Sequence, residues 1–238
     1  MCSLERNGYI FILTLTGLDE HRFNPELIDS VKSTLNQLKS QISPSSSYAL
    51  ITTAQGKYFS NGFDFAWTKA SKERIQFVFS QFGSLLSEFL SLPMPTIAAV
   101  TGHAAAVGFI FALAHDYIVM RRDRGFLYFS ELDLGMVIPA RAMSLIRAKI
   151  GAPKHRRLAV LRGGKITASM AVEMGLVDSA HDGAKETLEA AVKLGTGLVE
   201  RKWNGHVYAE NRKMLLGNVW DWKPVELVDG EKKVASRL

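Results

Sequence analysis

The chain has 238 residues, a net charge of +6 and a single cysteine, Cys2. That length admits one large domain or two small ones; the lone cysteine excludes an intrachain disulfide and fits a reducing compartment. Apolar residues make up 47% of the chain, which excludes a disordered or collagen-like polymer, while the basic balance suits a polyphosphate ligand or nucleic acid as well as a plainly solvated surface.

The N-terminal residues "MCSLERNGYIFILTLTG" lead directly into a strand pattern, without the basic region and small-residue cleavage site of a secretory leader. The strand itself is expected over 9–17, ended by Gly17. A helix follows within 21–42: Asn24 is placed to cap it, Pro25 to open it, and Leu27, Val31, Leu35 and Leu38 recur at helical spacing. After the loop "SPSSS", residues 48–54 read as a second strand and 72–92 as a helix with a wide apolar stripe, stopped by "PMP". Residues 96–102 read as a buried strand, 106–116 as a buried helix, and 117–123 and 125–131 as further strands. Thr101, Gly102, His103, His115 and Asp116 interrupt this most apolar part of the chain, so no membrane span is expected. Beyond Pro139 the pattern is helical, in segments 140–151, 152–164, 166–179, 184–203 and 205–218, with Thr167 as a cap and Gly175 as a stop. The expectation is an α/β core domain over 1–178 and a C-terminal helical region with a tail over 179–238. No internal sequence repeat is visible.

Three stretches carry candidate chemistry. "FSNGFDF" (59–65) and "TGHAAAVGF" (101–109) are small-residue turns between an apolar strand and a helix. Main-chain N–H groups at such turns lack intrahelical partners, and two that converge can stabilise an oxyanion. Taken singly, each turn is more readily read as ordinary turn chemistry with close backbone packing. In "FLYFSELDLGMVIPA" (126–140), Glu131 and Asp133 stand among apolar residues. Either is a base tuned by desolvation or an exposed carboxylate at a strand end. The six histidines do not cluster at ligand spacing, and no zinc, P-loop or nucleophile-elbow motif is present, so no metal is expected.

Taken in order, "FSNGFD", "PTIAAVTGHAAAVGFIFALAHDYIVM", "FSELDLGMVIP" and "ITASMAVEMGLVD" resemble the motifs of the enoyl-CoA hydratase/isomerase (crotonase) family, densest from Leu50 to Asp178. Each motif is weak alone; their order is specific. The resemblance implies a spiral of ββα units, an acyl-CoA thioester substrate, no cofactor beyond the CoA the substrate carries, and homotrimers or hexamers built through C-terminal helices. Matched motif by motif, it places the oxyanion-hole amides on Phe63 and Val107, both bulkier than the family's usual alanine and glycine, which implies a narrowed or reshaped pocket. Ser60, Asn61, Gly62, Asp64 and Ile110 fall at substrate-binding positions, and Arg22 lies near the loop that meets CoA phosphates.

Hydratases of the family use two glutamates. One position is Glu131 here; the other is Ile110. A single base suffices to move a proton from C2 to C4, so the pattern resembles the Δ3,Δ2-enoyl-CoA isomerases of fatty acid β-oxidation, most of all their plant peroxisomal forms. Hydratase or other thioester chemistry, and a nucleic-acid-binding or catalytically silent acyl-CoA-binding protein of the same fold, are the alternatives; nucleic acid is disfavoured because no basic run is interleaved with aromatics. The terminal Ser236, Arg237 and Leu238 resemble a peroxisomal address read by an import receptor.

Overall fold

The computed structural model describes residues 1–17, 20–69 and 71–220. Strands β1 (Cys2–Asn7) and β2 (Ile10–Leu15) form an antiparallel hairpin, so the expected first strand has a partner on its N-terminal side. Helix α1 (Pro25–Lys39) begins as its cap predicts: the Asn24 side chain accepts from the Leu27 N–H at 2.9 Å, satisfying one of the orphan donors of the first turn. Strands β3 (Ala49–Ala54) and β4 (Tyr58–Ser60) and helices α2 (Phe65–Thr68) and α3 (Lys72–Leu90) come next. They are followed by β5 (Thr96–Val100), β6 (His103–Ala105) and α4 (Val107–Leu113), and then by β7 (Tyr117–Arg121), β8 (Leu127–Tyr128) and α5 (Ala140–Lys149).

Two sheets organise these elements. The larger has the order β1-β2-β3-β5-β7-β9, parallel from β2 onward, with β9 formed by Ser179–His181. The smaller is β4-β6-β8, also parallel. Each small-sheet strand follows a large-sheet strand, and a helix then returns the chain. The unit ββα therefore occurs three times, ending in α3, α4 and α5. This is the spiral that the family resemblance implies. It leaves no trace as a sequence repeat because strands of two or three residues impose no pattern of their own.

Alternation along the buried strands divides the core. Leu50 faces the main cluster with α1, α3 and α4, while Ala49 and Ile51 face the second, smaller cluster beneath α8 (Ala184–Val199). The expected boundary after residue 178 falls immediately before β9, which hydrogen-bonds to β7, and α8 covers the second face of the same sheet.

Several expected elements are reshaped. The strand expected over 125–131 is only Leu127–Tyr128, because the chain turns at Ser130, whose carbonyl accepts from Leu134. The segment 152–164 is helix α6 (Pro153–Arg156) widened into a π-turn over Arg157–Leu161. The helix expected over 166–179 shrinks to α7 (Ala168–Glu173). Gly175 adopts φ +66°, and Asp178 then exchanges main-chain and carboxylate hydrogen bonds with Ile118 at 2.8 and 2.7 Å, drawing the chain into the sheet. Among the described residues no helix is long and apolar enough to cross a membrane. Ser236, Arg237 and Leu238 lie outside the described residues.

Helix α9 (Gly205–Leu216) is fastened by one buried cation. The Arg212 guanidinium pairs with Asp116 through bonds of 2.7 and 2.6 Å and donates to the carbonyls of Leu90, Leu92 and Met94, closing the C-terminal end of α3. Removing one partner of a buried pair strands the other charge. Arg212→Met is expected to lower unfolding stability by about 3–5 kcal/mol in a urea titration; a loss below about 1 kcal/mol, the scale of an exposed pair, would show that the contact is not a buried lock.

Candidate active site

The small sheet brings the three motif stretches together. Tyr58 pairs with His103, Ser60 with Ala104, and Ala105 with Tyr128. Helix α4 starts on the main chain of β4: a Cβ at Gly108 would lie 2.3 Å from the Ser60 carbonyl oxygen, so only glycine fits. The same approach sets the loop after β4 beside the first residue of α4. The Cβ position of Gly62, itself at φ +83°, is 3.8 Å from the Val107 nitrogen and 3.2 Å from Ala106 Cβ.

Two amides face this junction without acceptors. Phe23 and Phe63 form a parallel bridge through Phe23 N–H to Gly62 O (2.7 Å) and Asp64 N–H to Phe23 O (3.0 Å). Those bonds use the groups flanking Phe63 and leave its own N–H on the opposite side. Val107 is the first residue of α4, so its N–H has no intrahelical acceptor. Among the described residues neither N–H donates a hydrogen bond. Behind each, the carbonyl of the same peptide is engaged. Gly62 O accepts from Phe23, and Ala106 O accepts from Phe109 (3.0 Å) and Ile110 (3.1 Å). Such bonds polarise the peptide and strengthen its N–H as a donor. Ala106 holds φ +49° and ψ −121°, a conformation that alanine rarely adopts, and so turns the Val107 N–H out of the chain's path.

Side chains of the 59–64 stretch are turned into its own scaffold. The fully buried Ser60 hydroxyl donates to His21 O at 2.7 Å. Asn61 donates its N–H to Glu20 O at 2.8 Å and its amide to Glu20 Oε1 at 3.2 Å. Asp64 accepts from the Trp67 N–H at 3.0 Å, capping α2, and from Asn24 at 3.2 Å. Arg22 pairs with Glu20 and lies 3.4 Å from the carbonyls of Asn61 and Phe63. Residues 20–24 and 60–64 are thus zipped together, a pairing that nothing in the sequence announced. The Phe63 ring also turns inward. It is 4% exposed and packs on Phe79 and Phe82 of α3 at 4.6 and 5.5 Å, so its bulk goes to the core. Val107 is partly buried against the same core.

Glu131 follows β8 by three residues, at the head of a tight turn held by Met136 N–H donating to Glu131 O at 2.8 Å. Phe129 stacks on Phe109 of α4, centroids 4.7 Å apart, which ties this segment to the helix that starts at Val107. The Glu131 Oε2 is buried and has no hydrogen-bond partner. Burial raises its carboxyl from the usual 4.5 to about 7, opposed in part by the main-chain N–H groups of Glu131 and Ser130. Asp133, the neighbouring carboxylate, is exposed. Ile110 sits one turn beyond Val107 on α4 and is 3% exposed. Among the described residues no cluster of His, Cys, Asp and Glu side chains is arranged to hold a metal.

A family model described as enoyl-CoA hydratase/isomerase matches residues 9–212, and the chain belongs to that family. It is 53% identical over 219 residues to enoyl-CoA delta isomerase 1, peroxisomal, of Arabidopsis thaliana, covering 92% of this chain and 91% of the relative. Enoyl-CoA delta isomerase 3 of the same plant is 51% identical over 220 residues, covering 90% and 92%. A crystal structure of a probable enoyl-CoA hydratase from Mycobacterium tuberculosis shares the fold, with TM-score 0.83, 18% identity and coverage of 92% and 90%.

The strain at residue 106 is measurable. Ala106→Gly removes a disfavoured conformation worth about 1–3 kcal/mol, against roughly 1 kcal/mol of added unfolded-state entropy. The variant is expected to melt at a temperature about 2–4 °C higher by calorimetry; a lower midpoint would show that the backbone there is relaxed.

Proposed function

We propose that the chain is a Δ3,Δ2-enoyl-CoA isomerase, converting 3-enoyl-CoA to trans-2-enoyl-CoA. The observation that carries this reading is one carboxylate at Glu131 whose Oε2 is buried and unpaired, with aliphatic Ile110 where a hydratase has its second glutamate. The thioester oxygen is held by the N–H groups of Phe63 and Val107. Glu131, as carboxylate, takes a proton from C2; the electron pair of that C–H bond delocalises onto the thioester oxygen as a dienolate. The newly protonated Glu131 then delivers the same proton to C4 as the double bond settles between C2 and C3. Nothing is oxidised or reduced and no water is consumed. A base near pH 7 is matched to this task, since it is ionised often enough to accept a proton and acidic enough to return it.

Ser60, Asn61, Gly62 and Asp64 act in this reading by fixing the loop that carries the first donor, and Ile110 lines the acyl side. Arg22, beside the 60–64 loop, is the cation assigned to the CoA phosphates. Assembly into trimers or hexamers through the C-terminal helices, and import into peroxisomes through Ser236, Arg237 and Leu238, complete the proposal. The peroxisomal location is supported by the identity to a plant relative named as peroxisomal.

Glu131→Gln is expected to lower turnover of 3-hexenoyl-CoA about 10²–10⁴-fold while hexanoyl-CoA binding persists; Asp133→Asn is expected to remain active. Water addition to crotonyl-CoA at a rate matching isomerisation would instead favour the hydratase reading. In the parent enzyme, kcat/KM should fall as pH drops through about 7, because only the ionised carboxylate accepts a proton. Stability runs the other way. The unfolded carboxyl ionises near 4.5 and the folded one near 7, so this group's stabilising contribution is complete below 4.5 and is lost as pH rises to 7. Glu131→Gln should therefore be more stable than the parent by about 3 kcal/mol near pH 8 and equal to it near pH 4.

A further inference from the structure

Helix α3 contributes no polar group to the site, yet its aromatic face touches both chain segments that frame the first proposed oxyanion donor. The donor peptide is Gly62 C=O to Phe63 N–H. Its carbonyl is gripped by Phe23 N–H, and its nitrogen belongs to Phe63. Phe82 meets the rings of both residues edge-on, Phe23 at 4.8 Å and 66°, Phe63 at 5.5 Å and 81°. Phe79, one turn earlier, lies against the Phe63 ring at 4.6 Å. Phe23, Phe63 and Phe82 are all buried, and Phe23 is further held by Phe111 of α4 at 5.4 Å. Each edge-to-face pair has a preferred angle, so the cluster resists rotation of the rings and, through their Cβ atoms, of the main chain that bears them.

We infer that Phe82 and Phe79 are positioning residues for the oxyanion hole: through the Phe63 and Phe23 rings they fix the tilt of the Gly62–Phe63 peptide. The inference rests on the isomerase reading for what the donor does. It gives the large side chain at 63 a purpose. A small residue leaves the orientation of this peptide to main-chain hydrogen bonds alone; here an aromatic lever adds a second constraint from α3. Misplacing a donor by a fraction of an ångström weakens its grip on the developing oxyanion more than its grip on the neutral ground state, so the loss appears in turnover before affinity.

The test uses the full-length enzyme and hexanoyl-CoA labelled with ¹³C at the thioester carbonyl. The isotope-edited infrared stretch of that carbonyl reports its polarisation. Phe82→Leu and Phe79→Leu are compared with Phe79→Tyr, which keeps a ring against Phe63 at a partly buried position. In the wild type the bound carbonyl stretch is expected to shift to lower frequency. Both leucine variants should lose most of that shift and about 10–100-fold in kcat for 3-hexenoyl-CoA, with KM little changed; Phe79→Tyr should restore both. If Phe82→Leu does not fold, the Phe79 pair carries the comparison. A wild-type shift that persists in a folded leucine variant, or a tyrosine variant as impaired as the leucine one, overturns the inference alone. A wild type with neither shift nor isomerase activity overturns the isomerase reading, and the inference with it.

Discussion

A hydrogen-bond donor serves an oxyanion only if nothing else has claimed it, and residue 108 secures that condition by having no side chain. The first turn of α4 rests on the Ser60 carbonyl, where any Cβ would lie 2.3 Å away. Because the helix can start there, its first N–H opens onto the end of β4. Because β4 ends there, the loop after it must turn back through Gly62 at positive φ toward Phe23. One close approach thus sets two unrelated main-chain segments side by side, each with an N–H that lacks an internal acceptor. A backbone donor asks little of its own side chain, which is why phenylalanine and valine can stand at positions 63 and 107.

The junction concentrates features that cost stability. Ala106 is strained, the buried Oε2 of Glu131 has no partner, and the N–H groups of Phe63 and Val107 go unpaired among the described residues. Each is of a kind that folded proteins keep mainly where function requires it. The surroundings supply the compensation. Main-chain and side-chain bonds zip residues 20–24 to 60–64. Aromatic rings of α3 and α4 close over the loop from below. The Arg212–Asp116 pair locks α9 to the end of α3, far along the chain from the strain but on the same helix that backs the site. In the proposed reaction, a rigid frame around a strained centre would let the donors keep their direction as charge develops.

Much of this was legible in residue pattern. The long strands β2, β3, β5 and β7 are apolar runs with clear stops, and α1 and α3 announce themselves by spacing and caps. Glu131 and Asp133 stand out together as acids among apolar neighbours, and the order of the motifs identified the family. The small sheet was not legible. Strands of two or three residues, paired in parallel with partners about 23–45 residues away, have no local signature, so β4 and β6 read as turns and β8 as the middle of a longer strand. Strand β9 was hidden for the same reason, since Asp178 draws it into place through a contact with Ile118 sixty residues earlier. The direction of side chains was equally hidden. Composition cannot say that the Phe63 ring points to α3, that Ser60 bonds inward, or that of two nearby carboxylates Glu131 is buried and Asp133 exposed.

The claim at the centre is geometric: one carboxylate and two main-chain amides surround a single thioester. A crystal structure of the Glu131→Gln protein with 3-hexenoyl-CoA bound tests it directly. The thioester oxygen should lie about 2.7–3.1 Å from the nitrogens of both Phe63 and Val107, with the side chain at 131 over the C2–C4 edge of the acyl group. An oxygen bound to one amide or neither, or a residue 131 side chain turned away from C2 and C4, would contradict it.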